Sequence, residues 1–184
     1  MKNKYVSFIV LILFIVGFSS CKKIVGAIFE GTDVEAPALN ITIPPVIALT
    51  TDEMTLGTYT QHINLDSMVR AKTGGIFGTN VVSTVKVKKV TITLLNADQF
   101  NNISNFKTAR VTLQSNSNNT PVQLFSVLFN DVYASSYTFT AANDSPELLS
   151  YLNGNTISYT LYVSIRRITN KPLEMQVVVT LRAN

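Results

Sequence analysis

The chain has 184 residues, of which 46% are hydrophobic and only 14% are charged, against roughly 25% charged residues in an average soluble domain. This composition excludes a disordered chain and suits one globular domain or two small ones. Fifteen Lys and Arg against eleven Asp and Glu give a formal net charge of +4. The low charge density argues against a nucleic-acid-binding protein.

The N-terminal residues account for half of that net charge. Lys2 and Lys4 precede an apolar run from Tyr5 to Val16, and small residues then lead to Cys21, the only cysteine. This is the layout of a secretory signal peptide of residues 1–20. The apolar run is shorter than the roughly 20 residues that a membrane-spanning helix needs, so we expect export. Without residues 1–20, 13 basic and 11 acidic residues remain, a net charge of +2.

The junction Phe18-Ser19-Ser20-Cys21 resembles the lipobox of bacterial lipoproteins, although Leu is more usual at the position of Phe18. The resemblance is closest to lipoproteins of the Bacteroidota kind, and it implies that Cys21 is diacylated and becomes the mature N-terminus. Surface-exported members of that group resemble one another in an acidic run after the cysteine, whereas Lys22 and Lys23 follow here. We therefore expect an outer-membrane lipoprotein on the periplasmic face. The alternative is an unpaired thiol at an ordinary cleavage site.

Residues 21–37 show no sustained hydrophobic period and contain Gly26, Gly31 and Pro37 as breakers. We interpret them as the lipidated N-terminus and a tether. The folded domain is then predicted to span residues 38–184.

Hydrophobic residues alternate with polar ones through most of this domain, which predicts eight or nine strands. Leu39 to Ile43 is expected to be an edge strand or the end of a strand, because Pro44 and Pro45 follow it. The phase slips by one residue near Lys88-Lys89, which predicts a β-bulge. The two cleanest alternating segments, residues 157–166 and 173–181, predict an antiparallel hairpin.

Helix is predicted only as short turns. Asp66 to Val69 begins one such turn, which ends at Gly74, and Pro146-Glu147 begins another, which ends at Gly154. Many short strands without alternating helices indicate an all-β fold. We predict an antiparallel β-sandwich, immunoglobulin-like or jelly-roll-like, with one or two short helical turns.

The sequence contains little that indicates catalysis. His62 is the only histidine, which excludes a metal site with two histidines within one chain. Its neighbours Gln61 and Ile63 place it in a strand-like segment, which favours a hydrogen-bonded structural or exposed histidine over a catalytic one. The carboxylates are scattered and lie mostly at expected turns. We therefore expect no catalytic residue, no metal and no cofactor, and a protein that is not an enzyme.

Four aromatic residues and one serine are candidates for a binding or modification site. Phe125 and Phe129 belong to a segment with apolar residues on both faces, so either the chain covers both faces or one face meets a partner. Tyr133 and Tyr162 are candidate binding-surface residues. Asp66-Ser67-Met68 resembles the O-glycosylation acceptor of Bacteroidota exported proteins, which makes Ser67 a candidate acceptor, although a helix cap explains the same residues.

These observations favour a lipid-anchored cell-envelope protein with a non-enzymatic binding or structural role. Its expected partners are the membrane, through the N-terminal lipid, and an envelope protein or glycan. Three alternatives stay open: a carbohydrate-binding module, a pilus or adhesin subunit, and a lipid-carrying sandwich. The absence of Trp counts against the first, since sugar platforms rely on large flat rings. The body resembles sandwich lipoproteins of the Bacteroidota, a similarity of overall pattern that transfers no functional residue.

The prediction for the anchor concerns the cysteine. Cys21→Ser removes the sulfur that would carry the diacyl group, so we expect loss of palmitate labelling and release of the protein from the membrane fraction. Metabolic labelling and fractionation check both outcomes. Unchanged palmitate incorporation in the variant would contradict the prediction.

Overall fold

A computed structural model describes residues 29–142 and 145–184 of the chain. This part consists of nine strands and two short helices. The strands are β1 (Thr32–Glu35), β2 (Leu39–Ile43), β3 (Thr50–His62), β4 (Val85–Leu94), β5 (Phe106–Ser115), β6 (Val122–Leu128), β7 (Ser136–Thr140), β8 (Thr156–Ile165) and β9 (Leu173–Ala183). The helices are α1 (Leu65–Lys72) and α2 (Leu149–Leu152), and 3₁₀ turns occupy Thr79–Val81 and Ile103–Asn105.

The strands form two antiparallel sheets. In the first sheet β9 lies between β4 and the pair β1 and β2, and β7 lies outside β4. The second sheet has the order β3-β8-β5-β6. The antiparallel pairs are nested along the chain: β1 and β2 pair with β9, β3 with β8, β4 with β7, and β5 with β6. This order is that of a jelly roll, so the predicted all-β sandwich is confirmed and its immunoglobulin-like form is excluded.

The core fills the space between the two sheets. Alternate residues of each strand point inward, as the period of two requires. In β8, for example, Ile157, Leu161 and Val163 are buried while Ser158 and Thr160 lie on the outer face.

The predicted bulge is confirmed at Lys88. Val87 pairs with Leu181 and Lys89 pairs with Thr180, so Lys88 is an extra residue in β4. The bulge moves the following apolar residues onto the inner face, and the outward Lys88 amine lies 2.5 Å from a carboxylate oxygen of Asp33.

Both predicted helical turns are present. The side chain of Asn64 caps α1 by accepting a hydrogen bond of 2.9 Å from the Ser67 amide, and Gly74 follows the helix at φ 63°. The Glu147 carboxylate accepts from the amides of Leu149 at 2.7 Å and Val85 at 2.9 Å, which ties the start of α2 to β4. No helix within the described ranges is both long and apolar enough to cross a bilayer.

The predicted hairpin between residues 157–166 and 173–181 is wrong. β8 pairs with β3 and β5 in the second sheet, whereas β9 pairs with strands of the first. Alternation shows only that each strand has one buried face. These two strands bury their faces against each other across the sandwich instead of pairing side by side.

The boundary of the tether also differs from the expectation. Residues 32–35, assigned to the tether, form β1 and pair with the last residues of β9, from Thr180 to Ala183. The buried Val34 explains this pairing, since it adds an apolar contact to the first sheet. The folded domain therefore begins before residue 38.

Two isoleucines on either side of Pro44-Pro45 give a stability test. Ile43 is fully buried, whereas Ile47 is 87% exposed. We expect Ile43→Ala to lower the free energy of unfolding by about 2–5 kcal/mol, because it leaves a cavity, and Ile47→Ala to change it by less than about 0.5 kcal/mol. Urea unfolding of the two variants measures the difference, and similar losses would contradict the assigned burial.

Candidate functional site

Four connections meet at one end of the sandwich, which we call the loop end. They meet because Ile43 pairs with Leu173, Leu94 with Met175, and both Thr50 and Phe106 with Ile165. The four connections are the β2–β3 loop (44–49), the β4–β5 loop (95–105), the β6–β7 loop (129–135) and the β8–β9 loop (166–172). The opposite end carries α1 and α2, and we call it the helix end.

The loop end concentrates exposed apolar side chains. Of the ten large hydrophobic residues that are exposed in the described part of the chain, seven lie in its four loops. They are Ile47, Leu49, Leu95, Phe100, Val132, Tyr133 and Ile168. Of the other three, Ile76 alone lies at the helix end. Clustered exposed hydrophobic residues make this end a candidate interaction surface, whereas scattered ones are ordinary.

Buried amide side chains hold the β4–β5 loop against the β8–β9 loop. The Asn105 side-chain amide donates hydrogen bonds of 2.9 Å to the main-chain carbonyls of both Phe100 and Ile168. The Asn101 amide donates to the Asn170 side-chain oxygen at 2.7 Å, and the Asn170 main chain donates back at 3.0 Å. Asn101 and Asn105 are each 1% exposed, so these bonds are shielded from water.

The other two loops are tied to the same β8–β9 loop. The Arg166 guanidinium donates to the carbonyls of Phe129 at 2.8 Å, Ser104 at 3.1 Å and Asn130 at 3.3 Å. Val46 and Thr169 join the β2–β3 loop through two hydrogen bonds of 2.8 and 2.9 Å. The β8–β9 loop therefore links all four connections, and the exposed apolar side chains stand on a fixed backbone.

An open cleft of about 480 Å³ lies within this surface. Phe100 and Ile168 are among its lining residues, with the buried Asn102 and Asn105 and the half-exposed Arg167 beside them. A volume of this size accommodates a large side chain or a small molecule.

The charges of the loop end are paired and sum to a small positive value. Asp98 forms an ion pair with Lys171 at 2.6 Å, and Asp131 forms ion pairs with Arg167 and Arg166. Lys171 and the Asn101 side chain hold the pKa of Asp98 well below its usual range, and the amides of Phe100 and Asn101 add to the effect. In the four loops three cations face two carboxylates, a net charge of +1.

A second apolar space lies between the sheets, but it is small. The cavity has a volume of about 50 Å³, and its lining includes Tyr59, Phe125 and Val177. Cavities that bind even benzene measure about 150 Å³, and ligand pockets run from about 300 Å³ upward. The Gln61 amide donates to the Pro37 carbonyl at 2.5 Å, which links β3 to the residues that precede β2. The sandwich as described has no room for an acyl chain.

Two predicted surface residues, Phe125 and Phe129, are buried, at 4% and 5% exposure. Their inclusion in a binding surface is therefore wrong, and the alternative, that the chain covers them, holds. The register shift between Val111 and Thr112 inserts Leu124 as a bulge, so Leu124 and Phe125 both face the core. Leu128 alone stays on the outer face as an exposed apolar residue of β6.

The two predicted tyrosines lie in different places. Tyr133 is exposed in the β6–β7 loop and belongs to the loop end. Tyr162 lies on the outer face of β8, where the Arg110 guanidinium sits 3.9 Å from its ring centre. Arg110 is in turn paired with Glu53 at 2.7 Å, so one face of the Tyr162 ring is covered.

The remaining candidates are Cys21 and Ser67. Cys21 lies outside the described residues. Ser67 is exposed in the first turn of α1, while its neighbour Asp66 forms an ion pair with Arg70 and accepts from the Thr79 amide at 2.8 Å. The arginine and this amide hold the pKa of Asp66 below its usual value.

Sequence reasoning missed six of the seven apolar residues at the loop end. Phe100 and Ile168 each stand alone between polar residues, where a single exposed hydrophobic residue is ordinary. Ile47 and Leu49 belong to the short apolar run 46–49, which the sequence does not distinguish from a buried segment. The available signal was the run Asn101, Asn102 and Asn105 with Ser104, because four polar residues between apolar strands indicate a loop ordered by side-chain hydrogen bonds. Their hydrogen bonds to the β8–β9 loop could not be predicted from the sequence, because the two loops are far apart in the chain.

The described residues contain no group of three or more His, Cys, Asp or Glu side chains that could hold a metal ion. His62, at the end of β3, lies 3.3 Å from the Asn155 carbonyl and the same distance from the Thr156 hydroxyl. These contacts join the end of β3 to the start of β8, where His62 pairs with Thr156.

The fold defines this chain as a jelly-roll β-sandwich protein with an apolar loop surface. No family model and no curated protein matches it. It is similar to the decameric BFDV capsid protein, with 6% identity, a TM-score of 0.33, and coverage of 84% of this chain and 99% of that chain. It is also similar to the virus-like particle of Macrobrachium rosenbergii extra small virus, from the giant freshwater prawn. There the identity is 12%, the TM-score 0.23, and the coverage 79% of each chain. Both similarities are distant and extend no function to this chain.

The prediction from this site concerns acid stability. Asp98 has a lowered pKa in the folded state, so its contribution to stability is present above pH 4 and is lost as the pH falls below the unfolded value of 3.8. We expect Asp98→Asn to lower the melting temperature at pH 7 and to reduce the further loss of stability between about pH 5 and pH 2. Thermal melts across this range measure both effects.

Asp52→Asn is the matched control for that experiment. Asp52 is exposed at the start of β3 and makes no ion pair within the described ranges. If it reproduces the pH profile of Asp98→Asn, the assignment to the Lys171 ion pair is refuted.

Proposed function

We propose that this chain is a lipid-anchored protein of the bacterial cell envelope with a non-enzymatic binding role, and that the loop end is its binding surface. The observation that carries the binding role is the concentration of exposed apolar side chains on four mutually bonded loops. The signal peptide and Cys21 support the anchor. Lys22 and Lys23 support the periplasmic face of the outer membrane as its location.

The first residues that the structure describes indicate which end of the sandwich the proposed lipid anchor holds near the bilayer. Phe29 packs against Phe77 beyond α1, with ring centres 5.4 Å apart, and Thr32 pairs with Ala183. Both contacts lie at the helix end. Cys21 precedes Phe29 by eight residues, a reach of at most about 27 Å at about 3.4 Å per residue. A lipid on Cys21 would thus hold the helix end near the bilayer and leave the loop end facing away.

The three alternative functions find less support. Tyr133 and Tyr162 do not share a surface, which weakens a carbohydrate platform. β9 is paired on both edges, so its use as a donor strand would require its removal from the middle of the first sheet. The cavity between the sheets, about 50 Å³, is too small for a lipid chain.

The orientation can be measured by energy transfer to a labelled bilayer. Cys21 is the only cysteine, and its acylated sulfur would not react with maleimide, so an introduced cysteine carries a unique fluorophore. Ile76→Cys at the helix end and Phe100→Cys at the loop end are matched sites, at 75% and 73% exposure. In liposomes that hold the lipidated chain and an acceptor lipid, we expect strong transfer from position 76 and weak transfer from position 100. The expected separation is about 33 Å for ten-residue strands.

A Cys21→Ser background provides the control, because an unanchored protein should show little transfer from either position. Equal transfer from positions 76 and 100 in the anchored protein would contradict the proposed direction. Strong transfer from position 100 alone would indicate that the loop end binds the bilayer, which the proposal excludes.

A further inference from the structure

The loop end has the composition and size of a protein-binding surface. We infer that it docks a folded protein other than a second copy of this chain, and that the partner inserts an apolar side chain into the cleft beside Phe100 and Ile168. This inference rests on the proposed function, which supplies the anchor and the binding role, and adds the class of partner.

Size is the first argument. Of the 31 residues in the four loops, 23 are at least partly exposed, and a standard protein interface uses roughly 20–30 residues a side. Exposed amide side chains of Gln99, Asn130 and Asn170 lie among the apolar ones. Exposed apolar side chains with polar ones around them are typical of protein interfaces.

Rigidity is the second argument. The Asn105 amide fixes the backbones of Phe100 and Ile168 relative to each other, so the cleft exists before a partner arrives. Binding to a preformed cleft orders few further side chains, so the entropy cost of association is small. In protein interfaces, a few buried anchor side chains carry most of the binding energy.

The bilayer that would hold the lipid on Cys21 is not the expected partner of the loop end. The loop end lies at least a strand length, about 33 Å, beyond the helix end, and the eight residues from Cys21 to Phe29 reach at most about 27 Å. A domain with its loop end in that bilayer would have its N-terminal residues out of reach of the lipid.

A second copy of the chain, anchored in the same bilayer, is also not the expected partner of the loop end. Both copies would direct their loop ends away from that bilayer. Contact between two loop ends would place the two helix ends on opposite sides of the contact, roughly 66 Å apart for two strand lengths. The occupant is therefore a different molecule, and the apolar side chains favour a protein over a glycan.

The cations at the surface indicate the charge of the partner. The side chains of Arg167 and Lys171 are 50% and 36% exposed beside the apolar residues. Both cations are ion-paired within the chain, with Asp131 and Asp98, and the four loops keep a net charge of +1. We therefore expect acidic groups of the partner to share these cations at the rim, where charge mainly sets the rate and specificity of association.

Photo-crosslinking in cells that produce the full chain tests the inference. Benzoylphenylalanine in place of Phe100 is expected to give a discrete, protease-sensitive adduct with one other polypeptide, and the same group in place of Ile76 is expected to give none. The partner, identified by sequencing the adduct, should then bind the purified full chain in detergent. Phe100→Ala should weaken that binding at least tenfold, whereas Ile76→Ala should leave it unchanged.

A second variant keeps the test independent of Phe100. The double change Arg167→Glu and Lys171→Glu should slow association with the purified partner several-fold at low salt, while thermal melts report whether the domain still folds. A folded double variant with unchanged association would refute the charge assignment.

Four results would overturn the inference. These are an adduct of twice the mass of the chain, adducts with lipid alone, the same adduct from positions 76 and 100, and no adduct from a folded, normally produced protein. The Cys21→Ser variant separates the two proposals. If its fractionation is unchanged while the adduct at position 100 persists, the anchor is refuted and the docking surface stands.

Discussion

The nested antiparallel pairing of the strands is the constraint on which the rest of the molecule depends. Because β1 and β2 pair with β9, β3 with β8, and β5 with β6, every second connection falls at the same end of the sandwich. Val46 and Thr169 are separated by 123 residues in the chain and yet bond to each other in adjacent loops. The loop end is thus a product of topology, since its loops share no sequence motif.

Much of the architecture could be predicted from alternation, capping residues and turn residues. The sandwich, the edge position of β2, the bulge at Lys88 and both short helices follow from local pattern. The pairing of β8 and β9 could not be predicted this way, because alternation identifies a buried face and leaves the choice of sheet open. β1 was missed since a four-residue strand with one buried side chain, Val34, has too little pattern to recognise.

The candidate site was much less accessible to sequence reasoning. Tyr133 was the one predicted surface residue that the fold exposes at the loop end, since Phe129 in the same loop is buried. Phe125 and Phe129 were misjudged because a single bulge at Leu124 reversed the faces of β6 after that residue. A lone Ile or Phe in a connection has no distinguishing environment until the opposing loops are known. The site therefore depends on long-range pairing, while the strands depend on local pattern.

The low charge of the chain is consistent with how the loop end is built. A rigid loop that exposes apolar side chains needs its own polar groups satisfied internally, and a buried amide does this without the desolvation cost of an ion. Asn105 satisfies two carbonyls with one side chain, and Asn101 exchanges two hydrogen bonds with Asn170. Charged residues in these buried positions would need paired counter-ions beneath the surface. Asparagine thus lets Phe100 and Ile168 remain exposed on a backbone that does not collapse over them.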